Sequence, residues 1–368
     1  MSSETGKNIK ISVFGQSHSE AIGVVADGIP AGERFDMEKI RAFMGRRAPS
    51  GKAYTTMRKE TDAPRILSGL LKDESAEGDI YVSCGAPVCA VIENKDTRSK
   101  DYENLRFVPR PSHADYPAYI KYKGFNDIRG GGHFSGRLTA PICFAGALCK
   151  EMLERRGIRI GAHIYSVGGI KDEPYDAVNI STEKLLSAGK KEFPVNSDSS
   201  GERMLELIAE AKGRGDSVGG IVECAVTGLA PGLGDPMFDG VENIISRLLF
   251  GIPAVKGVEF GDGFLLSDSF GSRMNDAYEI SDGKVRTKTN HNGGILGGIT
   301  TGMPIIVRAA FKPTPSVAIS QDSVNLADMK DEKLVIHGRH DPCIVPRAVP
   351  CVEAAVAIAV CDIMAPVL

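Results

Sequence analysis

Arg129-Gly130-Gly131-Gly132-His133-Phe134-Ser135-Gly136-Arg137-Leu138-Thr139 is the stretch around which the chain is organised. Three consecutive glycines carry no side chains to pack and reach backbone angles closed to other residues. A histidine, a serine, an arginine and a threonine come next, and then apolar residues at helical spacing: Ala140, Ile142, Phe144, Ala145, Leu148, Met152 and Leu153. The pattern predicts a flexible turn feeding a long helix, whose unpaired N–H groups and dipole favour an anion. A turn that needs glycine for geometry alone fits the same letters equally well. The rest of the chain has to decide.

Composition narrows the choice. With 368 residues, 42% of them hydrophobic, the chain can build one large domain or two ordinary ones. Its 44 basic and 47 acidic residues leave a net charge of −3, which argues against general nucleic-acid binding. The eight cysteines show no CxxC pairing and no zinc spacing, so buried free thiols are expected and no metal site. The first ten residues contain no apolar segment of signal-peptide type. The apolar run at 349–364 is short and carries Glu353 and Asp362, which fits a buried core helix better than a membrane span. A soluble, cytoplasmic protein is expected, with neither membrane nor nucleic acid as partner.

Along the chain, apolar alternation predicts strands at 9–14, 24–29, 66–71, 80–92, 158–167, 221–228 and 305–311. Helical spacing appears at 37–44, 202–212 and 239–250, besides the helix after the glycines and the C-terminal one. Between these elements lie short polar stretches with the makings of chemistry. His18 stands between Ser17 and Ser19 at the end of a strand, well placed for proton transfer. Arg46 and Arg47 open a breaker-rich loop suited to gripping an anion. His113 follows Arg110 and precedes Asp115, and Arg339-His340-Asp341 precedes the last helix. A second glycine-dense site runs from 293 to 298, and Lys312-Pro313-Thr314-Pro315-Ser316 offers a cation and two hydroxyls on a rigid segment. There is no P-loop lysine after the first glycines, no GxSxG elbow and no metalloprotease helix.

Taken in order, these stretches resemble the chorismate synthase family. The likeness runs from Phe14-Gly15-Gln16-Ser17-His18 through Asn94-Lys95-Asp96, Arg110-Pro111-Ser112-His113-Ala114-Asp115-Tyr116, Arg129-Gly130-Gly131-Gly132, Ala254-Val255-Lys256-Gly257 and Lys312-Pro313-Thr314 to Arg339-His340-Asp341-Pro342-Cys343. It implies an α+β fold, a single domain over 1–368 with a helical layer between antiparallel β-sheets, mobile loops near 45–58 and 268–292, and a homotetramer. It also implies a carbon–oxygen lyase that converts 5-enolpyruvylshikimate 3-phosphate to chorismate by 1,4-anti elimination. Reduced FMN would be the cofactor, and NADPH a candidate external source of its electrons. Arg46, Arg47, Arg110 and Arg137 would grip the substrate's phosphate and two carboxylates. By the same resemblance His18 protonates the departing phosphate, His113 acts at the reduced flavin, and Asp341 assists proton removal at it. The flavin-facing positions would be His133, Phe134, Ser135, Pro253, Ala254, Gly297, Lys312, Pro313, Thr314, Pro315, Ser316 and Arg339.

The chain also departs from the family's usual letters. Gln16 replaces a glutamate, His133 an arginine, Leu138 a glutamate and Pro253 an asparagine, while Ala48 and Ala53 stand where arginines are common. Each lost charge-assisted hydrogen bond would cost about 1.5–3 kcal/mol of binding. A catalytically altered paralogue that binds flavin or an anionic ligand is therefore the rival reading. A phosphatase built on Arg339-His340 is a third.

Overall fold

The structure, a computed structural model, describes residues 3–49, 54, 61–95, 105–336 and 341–365. Its first sheet contains β1 (Glu4–Thr5), β2 (Lys10–Gly15), β3 (Ala21–Asp27), β4 (Arg65–Ser68) and β5 (Val88–Glu93), in the order β1-β2-β3-β5-β4. The second contains β6 (Arg159–Val167), β7 (Ile170–Lys171), β8 (Gly220–Thr227), β9 (Val255–Phe260) and β10 (Ile305–Phe311), in the order β7-β6-β8-β10-β9. Every pairing within both sheets is antiparallel. Five helices frame the site: α1 (Met37–Arg47), α2 (Asp115–Lys121), α3 (Thr139–Arg155), α4 (Val241–Phe250) and α5 (Val345–Met364).

The helical layer lies between the sheets because α3 and α5 are apolar nearly all round, and such helices must be covered on every side. α3 packs on β3 and β5 of one sheet and on β6 of the other, while α5 packs on α3, β6 and β8. The two helices approach closely at Gly146, where a Cβ would stand 2.3 Å from that of Ala354. Both acids of the C-terminal apolar run are buried and satisfied. Glu353 accepts from Arg46 Nη2 at 2.6 Å and from Lys150 Nζ, and Asp362 accepts the backbone N–H groups of Lys7, Asn8 and Ile9. Burying an unpaired carboxylate would cost several kcal/mol, so these partners are what let charge sit in this layer.

Across the second sheet a ladder of alternating charge joins four strands. Register aligns His163 of β6 with Glu223 of β8, Glu223 with Arg308 of β10, and Arg308 with Glu259 of β9. His163 and Glu223 are both 0% exposed; His163 Nε2 meets Glu223 Oε1 at 3.1 Å, and Arg308 Nε donates to Glu223 Oε2 at 2.7 Å. The stretch 268–292, expected as a mobile loop, carries a helical turn at Gly271–Met274 and a hairpin pairing Tyr278–Ser281 with Lys284–Thr287. Its polarity goes with an exposed hairpin. Of the 45–58 loop, only 45–49 and 54 are described, and Arg339 and His340 also lie outside the described residues.

Candidate active site

The glycines of the opening stretch make room for two histidines. Gly130, Gly131 and Gly132 have φ of 60°, 89° and 55°, the left-handed region that costs other residues about 1–2 kcal/mol each. A Cβ on Gly130 would stand 2.5 Å from His18 Cε1, and one on Gly131 would stand 3.2 Å from His113 Nε2. The Gly132 carbonyl accepts the Ser17 N–H at 3.0 Å, so the turn also fixes the loop that carries His18. Asn94 holds that loop from the other side by donating to the carbonyls of Gln16 at 3.1 Å and Ser19 at 2.8 Å.

A cavity of about 600 Å³ opens beside this turn, lined by Arg47, Arg110, His113, Arg137, Lys312 and Asp341 among others. His113 lies on its wall, while His18 is buried behind Gly130. His113 Nδ1 donates to Asp115 Oδ1 at 2.6 Å. A carboxylate only accepts, so Nδ1 carries the proton and Nε2 keeps the lone pair. Burial pushes His113 below its ordinary 6.5; the Asp115 hydrogen bond opposes this, and Arg110 and Lys312 add to it. Arg110 grips Asp115 through Nε at 2.7 Å and Nη2 at 2.9 Å, and its Nη1 donates to Ser316 at 3.2 Å. Burial works to raise Asp115, but these bonds outweigh it and hold the carboxyl far below the usual range.

The back of the cavity is built on Asp62, which no sequence motif marks. Its two oxygens accept from Arg47 Nη1 and Arg137 Nη1, both arginines being buried. Arg47 also donates to Thr139 at 2.9 Å and to the Gly136 carbonyl at 3.1 Å, so the start of α3 holds a cation. Two guanidiniums against one carboxylate leave positive charge facing the cavity. Burial disfavours the Arg47 charge, yet Asp62 outweighs it and raises the group further above its normal value. The only sequence signal for Asp62 is an acid in a stretch of mixed charge, too common to single out.

Other expected positions divide. Phe134, Ser135, Pro253, Ala254, Thr314, Pro315 and Ser316 line the cavity as anticipated. Thr314 Oγ1 is buried there with no hydrogen-bond partner among the described residues, a donor left for a ligand. Lys312 Nζ donates to the Ser112 carbonyl, and burial with nearby Lys256 lowers its pKa. Pro313 packs against Gly219 and is not on the wall. His133 lines the cavity, but its ring nitrogens meet the Gly15 carbonyl at 2.7 Å and Ser3 Oγ at 2.8 Å. It therefore anchors the strand end and does not replace the arginine expected there as an anion donor. Leu138 is buried in the core where a glutamate was expected. Arg46 is not on this cavity at all, being committed to Glu353. Gly297 sits in the turn between Ile295–Leu296 and Ile299–Thr300, also off the wall.

An α+β frame, a cavity of about 600 Å³, arginines facing it and a tuned histidine on its wall define an enzyme for a small anionic substrate. The comparisons with known proteins agree. The family model for chorismate synthase matches residues 9–365. A chorismate synthase of Thermococcus kodakarensis is 46% identical over 357 residues, covering 97% of this chain and 96% of that protein. One from Lancefieldella parvula is 44% identical over 372 residues, covering 98% and 96%. A solved structure titled "Crystal Structure of Chorismate Synthase" superposes with a TM-score of 0.75 at 29% identity, covering 99% of this chain and 94% of that one. The chain belongs to the chorismate synthase family. Identity of this extent over the whole length does not favour the altered-paralogue reading.

Proposed function

We propose that the chain catalyses the 1,4-anti elimination of phosphate from 5-enolpyruvylshikimate 3-phosphate, as a carbon–oxygen lyase dependent on reduced FMN. The observation that carries this is the glycine turn, which brings His18 and His113 together beside the arginine-lined cavity. The cavity suits a flavin and a polyanion together, because it is large, cationic at the back and leaves the buried Thr314 hydroxyl unpaired. Phe134, Ala254 and the 312–316 segment would hold the flavin, and Arg47, Arg110 and Arg137 the substrate's charges. When bound, reduced FMN supplies the electronic step of the elimination and is not consumed.

The chain's own residues handle protons. His18, packed against Gly130 at the cavity's edge, gives a proton to the departing phosphate and makes it a better leaving group. His113 is neutral near pH 7 and exchanges a proton through Nε2, its Nδ1 being fixed by Asp115. Asp341, gripped by Arg347 Nη1 at 2.5 Å, assists proton removal at the reduced flavin. The reading includes a homotetramer; exposed Phe264, Leu265, Phe270 and Ile280 on one excursion of the chain support self-association. It also includes a cytoplasmic location, which suits substrates too charged to cross a bilayer, and NADPH as an external electron source.

Anaerobic turnover of 5-enolpyruvylshikimate 3-phosphate with dithionite-reduced FMN, followed by chorismate absorbance, tests the reading. Chorismate should form with flavin and not in a parallel assay without it. Phosphate release without flavin or chorismate would overturn it.

A further inference from the structure

Six of the eight cysteines are buried, and all eight are free. Two of the buried ones meet where α3 and α5 pack at the cavity. Cys143 of α3 points its thiol at Cys351 of α5, with the sulfurs 3.8 Å apart. Cys351 is on the cavity wall, in company with Arg47, Thr139 and Arg347. Its thiol also lies 3.3 Å from the Arg347 carbonyl one helical turn back. The elimination reaction uses neither sulfur.

We propose that Cys143 and Cys351 are a peroxide-reactive thiol pair, reached through the substrate cavity and closing to a reversible disulfide between the two central helices. The electrostatics suit an attacking sulfur at Cys351. The hydrogen bond from Cys143 favours the Cys351 thiolate against the opposing effect of burial, and Arg47 adds to that, bringing the group down to about 7. Cys143 is pushed up by its burial and keeps its proton. The division fits an attacking thiolate with a resolving thiol beside it.

The chemistry balances with a hydroperoxide as oxidant. The Cys351 thiolate attacks the peroxide oxygen, giving a sulfenic acid and releasing hydroxide, or an alkoxide from an organic peroxide. Cys143 sulfur then attacks the Cys351 sulfur, its proton leaves with the sulfenic oxygen as water, and the disulfide forms. Two thiols are oxidised and one peroxide is reduced. The sulfurs must close from 3.8 Å to the bonding distance of about 2.05 Å, a side-chain movement within two packed helices. A dithiol reverses the step by exchange.

The protein contains its own control. Cys361 and Cys149 form a second buried thiol pair, with Cys361 Sγ 3.4 Å from the Cys149 carbonyl, and neither lines the cavity. The folded full-length protein is treated with hydrogen peroxide, its remaining thiols are alkylated under denaturing conditions, and the peptides are mapped by mass spectrometry. A Cys143–Cys351 cross-link is expected, lost on treatment with dithiothreitol and about tenfold more abundant than any Cys149–Cys361 cross-link. In Cys143→Ser, which keeps a hydrogen-bond donor beside Cys351 but no resolving sulfur, the Cys351 sulfenic acid should be trapped by dimedone. Recovery of both Cys143 and Cys351 as alkylated thiols in the wild-type protein would overturn the proposal. So would equal cross-linking of the two pairs, which would remove the cavity as the route.

Discussion

Two glycine-rich turns, Gly130–Gly132 and Gly293–Gly298, look alike in the sequence and do different things in the molecule. Both hold glycines in the left-handed region, with φ of 60°, 89° and 55° in the first and 65° and 82° at the start of the second. In the first turn Gly130 and Gly131 have side chains as neighbours, His18 and His113, and only Gly132 meets backbone, at the Asp127 carbonyl. The second has backbone: a Cβ on Gly293 would stand 2.4 Å from the Gly261 nitrogen, and one on Gly294 would stand 2.5 Å from the Pro304 carbonyl. The Gly261 carbonyl in turn accepts from Arg308, within the charged ladder of the second sheet. One turn borders the cavity and its histidines, and the other packs against backbone beside the second sheet. Glycine density reports a demand of the backbone, and only the neighbours say what the demand is for.

Four experiments put this contrast at risk. Gly130→Ala should have the largest effect, lowering chorismate formation by about 10²-fold or more, because the new methyl displaces His18. Circular dichroism and melting should show a retained fold; full activity would mean that the first turn is scaffold too. Gly293→Ala should do the reverse. It should cost about 2 kcal/mol in urea unfolding, from the left-handed backbone and the clash with Gly261, while turnover per folded molecule stays within about twofold.

The third experiment concerns His113 at the first turn and His163 in the charged ladder of the second sheet, whose pKa values move in opposite directions. His113 is lowered by burial. His163 is buried too, which lowers it, but its hydrogen bonds to Asp172 and Glu223 prevail and the net shift is upward. A raised histidine contributes stability that is fully present below its unfolded value of about 6.5 and is lost as pH rises through the folded value. The melting-temperature advantage of wild type over His163→Gln should therefore be larger at about pH 6 than at about pH 9, a range in which Asp172 and Glu223 do not titrate. An advantage independent of pH would mean that His163 contributes by packing alone.

Gly297→Ala should have the smallest effect. No atom lies within 4 Å of its Cβ position, so the cost is the left-handed backbone alone, about 1 kcal/mol. FMN affinity, followed by flavin fluorescence, should be unchanged if the flavin contacts only the cavity described above. A weakened affinity at unchanged stability would show that the second turn does reach a flavin.

Most of the frame was legible in the letters. The strand at 305–311 and the helix after the glycines come from apolar spacing, and the charges of Glu353 and Asp362 correctly argued for a core helix. These are local signals, carried by the chain's own period. The motifs also pointed to His113, Asp341, Arg47, Arg110 and Arg137, all of which the fold brings to one cavity.

What the letters did not contain was direction. Arg46 and Arg47 are adjacent, yet neighbours on a helix point about 100° apart. One therefore meets Glu353 in the core and the other meets Asp62 behind the cavity. His133 stands in a flavin-facing motif but spends its ring on the Gly15 carbonyl and Ser3. The sequence by itself determined the elements and the chemical groups available, because hydrophobic period and turn chemistry act over a few residues. Only the tertiary structure decided which charges face the ligand and which neutralise each other. That depends on partners 15, 118 and 307 residues apart in the chain, brought together by packing two sheets on one helical layer.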